Sequence, residues 1–179
     1  MTALDAGTIL RTLAAHEVRF LLIGGMAGVF HGSTTITQDL DICYALDRAD
    51  LERLASALLE LGVRPRGMDP QLPYRADAQT LRNDANFTFD SHAGPLDCLA
   101  EASGGFTYEK LLPASTIYPF EGLDVPVVSL DDLIRMKRAA GRNKDLIEVE
   151  NLSALREVRD GKKDRGGKTH RAGKKRRKT

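Results

Sequence analysis

Two aspartates one residue apart, Asp39 and Asp41, stand inside the apolar segment Asp39-Leu40-Asp41-Ile42. In an extended chain alternate side chains share a face, so both carboxylates project together while Leu40 and Ile42 point the other way. Carboxylates roughly 7 Å apart along a strand repel each other unless a cation sits between them, and a hard divalent ion with oxygen ligands is the usual answer. The plain alternative is the wet face of an edge strand. A third carboxylate favours the cation: Asp97 lies in Pro95-Leu96-Asp97-Cys98-Leu99, flanked by apolar residues, and a hairpin sheet would carry it beside the first two. Three carboxylates on one face can hold two magnesium ions about 4 Å apart, an arrangement suited to phosphoryl chemistry. Upstream, Gly24-Gly25 follows the apolar run Phe20-Leu21-Leu22-Ile23. Backbone N–H groups at a strand-to-helix junction attract anions, and without a Cβ a phosphate can come close. A tight turn explains the same pair more simply.

Further candidates are single residues. In Ser129-Leu130-Asp131-Asp132-Leu133-Ile134 and its continuation, Lys137 falls on the stripe of Leu130, Leu133 and Ile134. A lysine on that inward side needs a partner, either a triphosphate oxygen, with Arg142 or Lys144 assisting, or a carboxylate of the body. Arg135, Arg138 and Arg142 share another face and read as solvated. Among the hydroxyls Ser33, Thr34, Thr35 and Thr37, Ser33 is expected to touch a ligand and Thr34 to serve a turn. His31 and His92 have no metal-ligand spacing and read as structural or exposed.

The elements that must position these groups follow from periodicity. Residues of about 5 to 16 form a helix through Ile9, Leu10 and Leu13, and Val18 to Ile23 a buried strand. Asp39 to Leu46 is a second strand, and Leu51, Leu54, Ala55, Leu58 and Leu59 a helical stripe ending at Gly62. Pro65, Pro70 and Pro73 break every period between Val63 and Asn83, predicting a loop-rich excursion. Phe87 and Phe89 alternate into a turn at His92-Ala93-Gly94, from which Pro95 to Ala100 returns as a hairpin. Thr116 to Phe120 and Val125 to Val128 make another pair. A helix N-capped by Ser129 and a further helix over 143–158 close the body.

The order apolar-Gly-Gly, thirteen residues, Asp39-Leu40-Asp41-Ile42, and then Asp97 in a later strand resembles the nucleotidyltransferase superfamily related to DNA polymerase beta. The stretches HGSTTITQDLDI and SLDDLIRMKRAAGRNKDL look like the small bacterial members of the abortive-infection, type IV toxin–antitoxin kind. The resemblance spans about residues 5 to 158. It implies an α/β (α+β) fold, a mixed β-sheet nucleotidyltransferase core with flanking helices and a C-terminal helical pair. It also implies a magnesium-dependent transfer of a nucleotide from a nucleoside triphosphate to an acceptor hydroxyl. In toxin-like relatives the acceptor is a tRNA 3′ end and a cognate antitoxin is a partner; other relatives modify small molecules or protein hydroxyls. By the same resemblance Asp39 and Asp41 bind the metal, Asp97 is ligand or base, and Gly24 and Gly25 hold the triphosphate. The chain differs in having Gly24-Gly25 where many members have Gly-Ser, and Thr35 where many close relatives have an arginine.

At 179 residues and 42% hydrophobic, the chain suits one globular domain over 1–158. No run reaches the roughly 18 apolar residues of a membrane span, and the N-terminus lacks a signal-peptide pattern, so no membrane partner and a cytoplasmic location are expected. Cys43 and Cys98 match no zinc or redox spacing and read as reduced and packed. The net charge of +1 conceals a division. Eleven of the 26 Lys and Arg residues lie from Arg159 onward, against only Asp160 and Asp164, leaving 15 basic and 23 acidic residues before them. The body is thus about −8 and the segment 159–179 about +9. With no large apolar side chain from Gly161, that segment is expected to be a disordered tail suited to RNA phosphates. A non-catalytic RNA- or partner-binding protein that kept the fold is the alternative function.

Overall fold

The computed structural model describes residues 2–69, 71–83 and 86–169. A helix, α1 (Ala6–Ala15), begins under the N-cap of Asp5, whose carboxylate accepts the Thr8 N–H at 2.9 Å, and leads to the strand β1 (Phe20–Ile23). All four residues of β1 are buried. They run centrally in a seven-stranded sheet, as a continuous apolar run should. The short helix α2 (Gly24–Phe30) follows directly, and a loop carries the chain to β2 (Leu40–Tyr44). Next comes α3 (Arg48–Glu60), capped by Asp47, with Leu51, Leu54 and Leu58 on its buried stripe.

The excursion predicted over Val63 to Asn83 contains two short elements, β3 (Arg64–Pro65) and α4 (Ala78–Asn83). The hairpin β4 (Asn86–Ser91) and β5 (Gly94–Leu99) stands where alternation predicts it. Between Leu99 and Thr116 lie β6 (Glu101–Ala102), β7 (Phe106–Thr107), α5 (Tyr108–Leu111) and one 3-10 turn (Leu112–Ala114), none of which has a sequence period long enough to read. A second hairpin, β8 (Thr116–Phe120) and β9 (Leu123–Val127), precedes α6 (Leu130–Ala140). Ser129 caps α6 as expected, its hydroxyl accepting the Asp132 N–H at 3.1 Å. Gly141 ends the helix in the left-handed region at φ 65°. The chain thereby turns at once into α7 (Asn143–Thr169), which packs along α6.

The sheet order is β3-β4-β5-β2-β1-β9-β8. Its centre mixes directions: β2 is antiparallel to β1 but parallel to β5, and β1 is parallel to β9. This is the mixed α/β architecture expected, with α6 and α7 as the C-terminal pair. Both cysteines are buried and free. His31 is buried and structural, its Nε2 2.8 Å from the Val128 carbonyl and its Nδ1 3.1 Å from the Tyr118 hydroxyl, whereas His92 is exposed. The helix α7 does not stop at Val158; its backbone is helical to Thr169, and Arg159 reaches His31 Nδ1 at 3.2 Å. Residues 170–179 of the basic segment lie outside the described residues. Among the described residues no helix is long and apolar enough to cross a membrane.

Candidate active site

The register of three central strands brings the carboxylates together. Ile23, the last residue of β1, pairs with Asp41, and Asp41 pairs with Asp97 across the parallel strands β2 and β5. Directly paired residues project to the same face, so Asp41 and Asp97 stand side by side, while Asp39 lies in the bend just before β2 and its charge acts on Asp41. All three line one cleft of about 500 Å³. Gly24, Gly25, Thr35, Thr37 and Gln38 form one wall, and Lys137, Arg142, Lys144, Asp145, Glu148 and Asn151 of α6, α7 and their junction form another.

The glycine pair makes room for this arrangement. Gly24 has φ +64°, and a Cβ there would lie 2.0 Å from Asp41 Oδ2. At Gly25 a Cβ would meet Thr37 Oγ1 at 2.7 Å. The Gly25 N–H donates to the Asp41 carboxylate, and Thr37 Oγ1 donates to Asp39 Oδ1 at 2.9 Å. Any side chain at these positions would push the carboxylates or their threonine out of place.

Charge is concentrated at Asp41. Burial, followed by the neighbouring Asp39 and Asp97 carboxylates, pushes its pKa up to about 7 against the opposing pull of Lys137 and the Gly25 N–H. Burial also raises Asp97, with the Arg66 guanidinium working against it. Oxygen-only donors that repel one another in a half-buried cleft suit a hard divalent cation. They are not gathered around one point: among the described residues no three His, Cys, Asp or Glu side chains stand close enough to hold a metal ion. Asp97 is engaged instead by Arg66, Nη2 to Oδ1 at 2.9 Å.

Lys137 is 8% exposed and ion-paired, 2.6 Å from Glu148 Oε2 and 3.7 Å from Asp145 Oδ1. Of its two expected partners, the body carboxylate is the one in contact, although the ammonium also lines the cleft. Asp145 in turn accepts from Arg142, and that hydrogen bond raises the pKa of the guanidinium. Ser33 does not join the cleft. It is buried, donates to Thr35 Oγ1 at 2.9 Å and accepts the Thr35 N–H, the bonds of a local turn beside the cleft-lining Thr35. Three partners escaped sequence reasoning: Arg66, Asp145 and Glu148. The last two had a signal, since Asp145, Glu148, Val149 and Leu152 follow helical spacing and put two acids on a buried stripe. Arg66 had none.

No family model matches the chain, and no curated protein matches it by sequence. Solved structures do. The lincomycin-bound crystal structure of the lincosamide antibiotic adenylyltransferase LnuA superposes with a TM-score of 0.57 at 14% identity, over 86% of this chain and 99% of that one. This chain has the nucleotidyltransferase fold. The crystal structure of ANT(2")-Ia in complex with adenylyl-2"-tobramycin agrees, with a TM-score of 0.51 at 17% identity, over 88% of this chain and 95% of that one. The likeness thus spans nearly the whole length of both nucleotidyltransferase-fold neighbours, and at these identities it concerns the fold.

Proposed function

We propose that the chain is a magnesium-dependent nucleotidyltransferase that moves a nucleotide from a nucleoside triphosphate to an acceptor hydroxyl. The observation that carries this reading is Asp41, a buried carboxylate that feels the charges of Asp39 and Asp97 in a cleft also lined by Lys137, Arg142 and Lys144. Asp39 and Asp41 would hold the cation, and Asp97 would join them or act as base. The bound cation supplies charge neutralisation at the triphosphate and lowers the barrier to attack at the α-phosphorus.

The residues themselves have separable tasks. Arg142 and Lys144 provide positive charge for the triphosphate, while Lys137 holds Asp145 and Glu148 so that this wall keeps its shape. Gly24 and Gly25 leave the floor open to phosphate oxygens. In the base role, Asp97 would accept the proton of the acceptor hydroxyl as that oxygen bonds to the α-phosphorus; the bond to the bridging oxygen breaks and pyrophosphate leaves.

For the acceptor we favour an RNA end. The 11 Lys and Arg residues from Arg159 onward give the chain a polycationic segment suited to phosphates. The two neighbours act in their own structures on antibiotics, so a small-molecule hydroxyl is the competing acceptor. Incubation with each α-labelled triphosphate, Mg²⁺ and either total RNA or an antibiotic panel separates these. Label on RNA that disappears with Asp41→Asn supports the reading. Label on an antibiotic alone replaces the acceptor, and no transfer to any acceptor overturns the enzyme.

A further inference from the structure

Arg66 stands at the outer end of a row that crosses three strands. Its N–H donates to the Thr88 carbonyl at 2.9 Å, Thr88 pairs with Asp97, and Asp97 pairs with Asp41. From the turn after β3 the arginine side chain reaches Asp97 Oδ1 at 2.9 Å. Secondary partners lie along β4: Asp90 Oδ1 is 3.6 Å from Arg66 Nε, and the Phe89 carbonyl is 3.4 Å from Nη2.

We propose that Arg66 is an internal cation that competes with a divalent ion for Asp97, so that Asp97 joins Asp39 and Asp41 only when the guanidinium is drawn aside. The inference rests on the reading of the cleft as a cation site. Three observations carry it. Among the described residues, Asp97 is the one carboxylate of the three with a cationic side chain in hydrogen-bond contact, and no trio is poised for a metal ion. The Arg66 side chain is 37% exposed against 17% for Asp97, so the guanidinium has solvent to move into. Asp90, half-exposed and already nearby, can keep the charge partnered after it leaves Asp97.

A mere latch for the two-residue strand β3 would be indifferent to metal, and this separates the two roles. The test is Mn²⁺ binding without nucleotide, followed by the electron paramagnetic resonance signal of the free ion, on the wild type, Arg66→Gln and Arg66→Gln/Asp97→Asn. Removing the competing charge should tighten Mn²⁺ binding about two- to fivefold, the range expected of a partly exposed ion pair. The double variant should lose that gain. Arg66→Met keeps the apolar stem and replaces Arg66→Gln, with the same expectations, if the glutamine variant does not fold. Equal or weaker binding after loss of the arginine overturns the proposal, as does a gain that persists without Asp97 or the absence of Mn²⁺ binding in every variant. Because no triphosphate is present, tighter Mn²⁺ binding in a protein that transfers no nucleotide would sink the proposed reaction and leave the role of Arg66 standing.

Discussion

Asp41 is held against its own charge, and stability should show it. With a folded pKa of about 7 against 3.8 for the free side chain, the folded state binds more protons than the unfolded chain between those values. Stability therefore falls as pH rises from about 4 to about 7 and levels off above. Asp41→Asn removes this component, so its stability advantage over the wild type should widen across that interval by up to about 4 kcal/mol. Metal-free denaturant melts at several pH values would measure it; a constant gap would show that Asp41 is not strained. Lys137 makes the opposite case. It neutralises two buried acids, and among the described residues Glu148 Oε1 has no hydrogen-bond partner to fall back on. Lys137→Met should cost about 3 kcal/mol or more in the same melts, and part of that loss should return in Lys137→Met/Glu148→Gln. A marginal stability change with lost triphosphate affinity would make it a phosphate ligand instead. At this scale Asp41 and Asp97 were legible as strand residues because alternation is a local rule, whereas Asp39, expected in the same strand, lies in the bend before it. Arg66 was not, since its partner lies 31 residues away across an intervening strand.

Among the elements, the junction of β1 and α2 bears most on the site. Gly24 combines a left-handed backbone with a Cβ position already filled by the Asp41 carboxylate. Gly24→Ala should destabilise the fold by about 2 kcal/mol or more and abolish triphosphate binding, because Asp41 must move. Chemical denaturation checks the first effect and titration with a triphosphate the second; wild-type stability would show that the junction relaxes freely. The glycine pair was legible as a turn or phosphate site, but its steric reason needed the β1–β2 register. Elements with a full period, such as α1, α3, α6 and the two hairpins, were readable from spacing and caps. The strand β3 and the helix α4 were not. Two residues show no alternation, and α4 spans only six, with the Asp77 cap, which accepts the Thr80 N–H at 2.7 Å, as its sole marker.

For the whole molecule, local rules suggested alternating helices and strands but not the order in which seven strands associate. Nothing in the sequence shows that β9 returns beside β1, or that α7 would run along α6 and place Asp145 and Glu148 across the cleft from Asp41. Those contacts are made over long separations and close the site. The central claim is that this closed cleft binds a triphosphate through its carboxylate floor and a divalent cation. Calorimetric titration of the wild type, Asp39→Asn and Asp41→Asn with each nucleoside triphosphate and Mg²⁺ tests it most directly. At least one triphosphate should bind the wild type in a Mg²⁺-dependent way, and each variant should bind it about tenfold or more weakly while remaining folded. No binding by the wild type, or equal affinity in the variants, would contradict the account.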